Sequence, residues 1–248
     1  MKYTDINSKI IDKWNEDGWI WAKPVSPEQI AEAKKGVIKV VLTPNKQVPR
    51  NWFPAEMKSK KILGLASGGG QQMPLFAAMG ADCTTFDYSQ KQLDNDIAVA
   101  KRENLSLKTV RGDMTKPFPF SDGEFDFIFH PVSNCYIKDV QSVWNECFRV
   151  LKKGGVLIAG LDMGLAYAFD DDGNFDHKLP FDPLADEELY NECIEKGWGI
   201  QFSHTIEEQI GGQLKAGFTL LDIFGDTDTE GKLHDFNLTT FCATKVIK

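Results

Sequence analysis

Residues 60–72 read Lys-Lys-Ile-Leu-Gly-Leu-Ala-Ser-Gly-Gly-Gly-Gln-Gln, a short apolar strand that runs into a glycine cluster and then into a helix. Glycines at a strand-to-helix turn let a ligand lie directly against the backbone. The helix that follows points its free N–H groups and the positive end of its dipole at the same place. The turn therefore suits a nucleotide-like cofactor, and it requires a sheet with helices packed on it.

The pattern after Lys60 meets that requirement. Apolar strands are expected at residues 62–66, at 83–86 ending on Asp87, and at 107–111, 125–129 and 156–161. Helices are expected between them: 71–79, closed by Gly80; a helix opened by the Ser89–Gln92 capping box and running to about Asn104; and about 140–151. Residues 152–155 read as a turn. Alternation of this kind means a parallel sheet covered on both faces. After Asp162 it stops for about forty residues, with a short helix expected near 184–196. Thr205 then caps a helix reaching Lys215, and two strands near 218–224 and 237–244 close the chain.

At 248 residues the chain is most economically one domain. Residues 1–59 form an N-terminal cap region holding four of the six tryptophans, and Ser26-Pro27-Glu28-Gln29 opens a helix that Gly36 ends. Residues 60–248 form the main domain, with an insertion at 163–203. The five cysteines form no C-x-x-C pair, so neither a zinc site nor a disulfide framework is expected, and the chain reads as cytoplasmic and reduced. No run is apolar enough to span a membrane. The insertion carries ten acidic and two basic side chains, and residues 1–61 carry twelve basic and seven acidic ones. These read first as a solvated acidic loop and a mildly basic cap; the sharper reading is that the acidic segment repels polyanions and favours a neutral or cationic small-molecule substrate. Nucleic acid is unlikely without a concentrated basic face.

Three features identify the cofactor together: the glycine turn ending at Gly70, Asp87 at the tip of the second strand, and Asp113-Met114 after the third. All fall at the carboxyl ends of adjacent strands, where ligands bind in an open parallel sheet. An acid at the position of Asp87 grips ribose hydroxyls in both dinucleotide and S-adenosylmethionine sites. A dinucleotide fingerprint beginning at Gly68 would place its third glycine where Met73 stands. Spacing thus disfavours a nicotinamide-dependent oxidoreductase.

These residues resemble the class I S-adenosylmethionine-dependent methyltransferases, in particular the broad type 11 group. Residues 62–70 align with the family's first motif, Asp87 with its ribose-binding acid and Gly112-Asp113-Met114 with its adenine-binding step. Residues 119–130 resemble its fourth strand and the preceding loop, and 149–155 the turn before its fifth. The whole chain is also similar to bacterial methyltransferases with the same Ala-Ser-Gly-Gly-Gly-Gln-Gln turn. The resemblance implies a doubly wound, Rossmann-like α/β fold with strand order 3-2-1-4-5-7-6, the last strand antiparallel, under an N-terminal helical cap. It also implies S-adenosylmethionine as cofactor, held by Ala66, Ser67, Gly68, Gly70, Asp87, Gln92, Asp113, Met114 and His130.

Two positions depart from the family. Gly64 stands where an acid is usual and Ala66 where the first glycine is usual. Ala66 is expected at negative φ, since its methyl group disfavours the left-handed region. Without the acid, backbone carbonyls of the turn or of His130 are left to hold the methionine amino group.

Methyl transfer needs alignment, exclusion of water and sometimes removal of a proton. His130 ends the fourth strand and suits a general base near neutrality, or else only shapes its loop. Tyr136 and Asn134 follow in the same loop, and His204 precedes the Thr205 helix; Tyr136 and His204 complete the catalytic candidates. The N-terminal tryptophans read as the core of the cap, with an aromatic wall over the site as the other possibility. An S-adenosylmethionine-binding protein without catalysis is the remaining alternative. No metal site is expected.

Overall fold

The structure, a computed structural model, describes residues 1–170 and 172–248. No helix is expected from the sequence before Ser26, yet Tyr3–Glu16 form α1. Its buried residues are Thr4, Asn7 and Ser8, so its inward face is polar. Helix α2, Pro27–Lys34, carries the capping box, with Ser26 Oγ accepting from Gln29 N–H and the Gln29 side chain accepting from Ser26 N–H. The chain then doubles back through a single bridge between Val41 and Gln47.

The main unit follows as β1 (Lys61–Leu65), α3 (Gln72–Ala78), β2 (Asp82–Asp87), α4 (Gln90–Glu103), β3 (Leu107–Arg111) and β4 (Phe125–His130). Helix α5 (Val140–Val150) leads into β5 (Leu151–Asp162). Helices α6 (Glu187–Glu195) and α7 (Ile206–Ala216) precede β6 (Thr219–Asp226), the short α8 (Lys232–Asp235) and β7 (Phe241–Ile247). The seven strands lie in the order β3-β2-β1-β4-β5-β7-β6. Strands β1 to β5 are parallel, and β7 runs antiparallel to both β5 and β6. Order and directions are those the family resemblance implies.

Two boundaries differ from expectation. Residues 152–155 stay within β5 as an irregularity: Leu151 pairs with Phe125, and the register then shifts to Val156 opposite Phe127. The last strand starts at Phe241 rather than 237, because α8 and a left-handed Asn237 occupy the approach to it.

Alternation along β4, interrupted by a register shift between Phe125 and Phe127, divides the core. Phe127 and Phe129 face the layer of Phe76, Phe53 and Trp52, whereas Phe125 and Ile128 face Trp144 and Val143 of α5. Trp52 is buried and donates its indole N–H to Asp222 at 2.8 Å, so the N-terminal region is built into the sheet's own core. A third cluster joins Phe181, Cys193, Ile200 and Phe202 of the insertion to Tyr3 and Ile6 of α1. All five cysteines are buried and free. Among the described residues, no helix is long and apolar enough to cross a membrane.

Candidate active site

The carboxyl ends of β1, β2, β4 and β5 open into a cavity of about 270 Å3, continuous with a smaller one of about 70 Å3 at the ends of β2 and β3. Both are lined by Ala66, Asp87, Ser133 and Tyr136. Its cover comes from α1, from residues 41–44 and from the 19–21 turn. Residues 41–44 can lie across β5 because residue 160 is glycine: a Cβ there would sit 2.0 Å from the Leu42 carbonyl oxygen.

The glycine turn is shaped by its neighbours. A Cβ on Gly68 would meet Gln92 Cβ at 2.6 Å, and one on Gly69 the Trp21 carbonyl at 2.9 Å. Gly64 has its own cause: a Cβ there would meet Met73 Sδ at 2.5 Å. The fully buried Met73 takes the room that the family's usual acid would need. Ala66 lies at φ +46°, so the expectation of negative φ is wrong. Its N–H donates to the Phe86 carbonyl at 2.8 Å, which holds an L-residue in a region it rarely adopts.

Asp87 accepts from Gly68 N–H at 3.1 Å through Oδ2 and from Ser89 N–H at 2.9 Å through Oδ1. Burial pushes its carboxyl up to about 6 despite these bonds, with Asp12 nearby adding to the rise. Behind the turn, Asp96 accepts from Gly70 N–H at 2.7 Å and from the Thr85 hydroxyl at 2.5 Å. Burial pushes the Asp96 carboxyl up to about 7.

Ala66, Gly68, Asp87 and Gln92 line the main cavity, and Asp113 and Met114 line the smaller one. Ser67 and Gly70 line neither. Ser67 is buried with its hydroxyl 3.4 Å from Gln72 Oε1, while the Gly70 backbone is bonded to Asp96 and Val25.

His130 is turned away from the cavity. Strand alternation places it on the same face as Ile128, with its ring edge-on to Trp144 at 5.8 Å. Its Nδ1 lies 3.0 Å from the Leu65 carbonyl and its Nε2 2.8 Å from the Asn134 side chain. Burial lowers its pKa, against the opposing effect of these two contacts, and so disfavours the charged ring. The Asn134 side-chain oxygen faces Nε2, and its NH2 donates to Gln209 Oε1 at 3.0 Å. With both nitrogens occupied, His130 is no general base.

His204 is likewise structural. It is buried, with Nε2 donating to the carbonyls of Asn134 and Ile137 at 3.0 and 2.9 Å, and it pins the 134–137 turn. Tyr136 alone of the three catalytic candidates lines the cavity. Burial raises its phenol well above the usual value, so it stays protonated.

The cavity also holds residues that the sequence pattern did not single out. Trp19 and Trp21 line it, so the aromatic wall exists for these two while Trp52 belongs to the core. Gln71 and Gln72 sit beside the turn. Asp162, at the tip of β5, faces the far end, and burial pushes its carboxyl up to about 6. A signal for it existed: like Asp87, it is an acid ending an apolar strand.

Residues 63–159 match the methyltransferase-domain family. The chain is 39% identical over 250 residues to YbaJ, an uncharacterized methyltransferase of Bacillus subtilis, spanning 98% of this chain and 97% of that one. The chain belongs to the class I S-adenosylmethionine-dependent methyltransferases. S-Adenosylmethionine is accordingly the cofactor of this methyltransferase. A Mesorhizobium loti S-adenosylmethionine-dependent methyltransferase shares the fold at TM-score 0.63 and 16% identity, over 80% of this chain and 95% of that one. The [4+2]-cyclase SpnF shares it at TM-score 0.53 and 17% identity, over 77% and 76%. The same fold therefore carries unlike reactions, and the acceptor has to be argued from the site.

Proposed function

We propose that this methyltransferase transfers a methyl group to a small molecule held in the 270 Å3 cavity. The observation that carries the proposal is the cover. Helix α1 is bonded to Asp113 and Tyr88 on one side of the cleft and to Ile200 and Tyr136 on the other. An acceptor must fit beneath it, which favours a metabolite over a polymer.

The residues present fit the cofactor. Asp87, desolvated and with no Lys, Arg or His among the described cavity-lining residues, has spare lone pairs for a pair of ribose hydroxyls. Asp113 and Met114 flank the space for adenine. With Met73 over Gly64, the methionine end falls to Gln72 and the backbone of the turn. S-Adenosylmethionine supplies a methyl group on positive sulfur. The chain's own tasks are to align the acceptor, which Tyr136 can do as a hydrogen-bond donor, and to exclude water, which Trp19 and Trp21 do.

Methyl-labelled S-adenosylmethionine offered with a metabolite panel, and separately with RNA, DNA and protein fractions, tests this. Label in a small molecule is the expected result. Label only in a macromolecular fraction would overturn it, and cofactor binding with no transfer to any fraction would favour the non-catalytic alternative.

A further inference from the structure

We propose that the acceptor is an amine, bound as its ammonium ion at the Asp162 end of the cavity, and that Asp162 takes its proton. The proposal rests on methyl transfer in this cavity. Its first support is charge. Among the described lining residues the cavity has two carboxylates, Asp87 and Asp162, and no Lys, Arg or His. A phosphate or carboxylate acceptor would meet only like charge, at high cost in a desolvated site.

The second support is an unmet carboxylate oxygen at the cavity wall. Asp162 Oδ1 accepts from Gly164 N–H at 2.6 Å, and Oδ2 accepts from no described residue. Asp162 and Asp226 both pair with Phe241, which brings the ends of β5, β6 and β7 together. Thr227 Oγ1, Asp228 Oδ2 and Thr240 Oγ1 are buried without a partner near this junction, and none of these three residues lines the cavity. An ammonium ion beside Asp162 brings a positive charge and an N–H donor for Oδ2. The negative charge of Asp228 raises the Asp162 carboxyl further. Cys135, Tyr136 and Tyr167, which feel the Asp162 charge, stay protonated.

The approach has the same character. Gln201 lines both this cavity and a neighbouring one bordered by Asp170, Asp176 and the stacked rings of Tyr167 and Phe181. Of its basic side chains, Lys196 is tied to Glu192 and lies over Trp198, and His177 lies 3.1 Å from Asp176. An acidic, aromatic antechamber concentrates organic cations.

In the reaction, a proton passes from the ammonium nitrogen to Asp162 Oδ2. The freed lone pair forms the N–C bond as the C–S bond breaks, and that bond's electron pair stays on sulfur. Asp162 then gives its proton to water, so each turnover releases one proton.

Calorimetry on the protein saturated with S-adenosylhomocysteine tests the site with benzylamine, tryptamine and 1,5-diaminopentane against benzyl alcohol and benzoate. At least one amine is expected to bind about tenfold or more tighter than the alcohol and benzoate. Asp162→Asn and Asp228→Asn should each weaken that binding by roughly tenfold, leaving S-adenosylhomocysteine affinity within about twofold. Alcohol or benzoate binding equal to amine binding would overturn the proposal. So would the failure of every amine to bind, or unchanged amine affinity in both variants. Failure of S-adenosylhomocysteine itself to bind would instead defeat the methyl-transfer reading beneath it.

Discussion

Thr4 of α1 donates its hydroxyl to Asp113 Oδ2 at 3.0 Å, which ties the first helix of the chain to the end of β3 where adenine is proposed to lie. The other Asp113 oxygen accepts from Thr115 N–H and Oγ1. The same helix sets Asp12 Oδ1 against the Ser89 hydroxyl at 2.6 Å, so it also braces the start of α4. Thr4→Val should cost about 1 kcal/mol of stability, or roughly 2–4 °C in melting temperature. A calorimetric melt checks this. An unchanged melting temperature would mean that the bond does not hold α1.

Asn7 makes the matching tie on the other side. Its amide donates to the Ile200 carbonyl at 2.8 Å and accepts from Ile200 N–H at 2.7 Å. Asn7→Ala leaves both buried backbone groups unpaired and should cost about 2–3 kcal/mol. Proteolysis within residues 1–25 should accelerate, read by mass spectrometry of timed digests; an unchanged cleavage rate would contradict this.

Ala66→Gly tests the left-handed turn. Glycine removes a penalty of roughly 1–2 kcal/mol for an L-residue at positive φ and adds about 0.4–1 kcal/mol of unfolded-state entropy. The variant should be as stable as the parent or up to about 1 kcal/mol more stable in urea unfolding. A clear loss would mean that the Ala66 methyl group contributes packing that outweighs its strain.

Asp87, Asp96 and Asp162 all have carboxyls raised by burial, to about 6, 7 and 6. A raised carboxyl binds its proton more tightly folded than unfolded, so its contribution is fully present below the unfolded value and lost as pH rises through the folded one. These three groups should therefore lower stability as pH rises from about 4 to about 7. Asp96→Asn retains an acceptor for Gly70 N–H and should flatten that slope in a series of thermal melts. An unchanged slope would show that Asp96 titrates near its unfolded value.

The sequence carried the sheet plainly, because apolar runs, capping residues such as Ser89 and glycines such as Gly80 act over a few residues. Asp87 was visible for the same reason, as an acid at a strand tip. Helix α1 was not, because the residues it buries are Thr4, Asn7 and Ser8, chosen for hydrogen bonds rather than apolar spacing. His130 was placed correctly along the chain but misjudged in direction. Its two-residue separation from Ile128 already put its ring on the α5 side. Asp162 acquires its setting only when β5, β6 and β7 meet, a contact between residues far apart in sequence.

Titration calorimetry with S-adenosylhomocysteine, on the parent protein and on Asp87→Ala, tests the central claim most directly. One-to-one binding on the order of micromolar is predicted for the parent, weakened roughly 10–100-fold in the variant, with no heat from NAD. Binding of NAD with no response to S-adenosylhomocysteine would contradict the account.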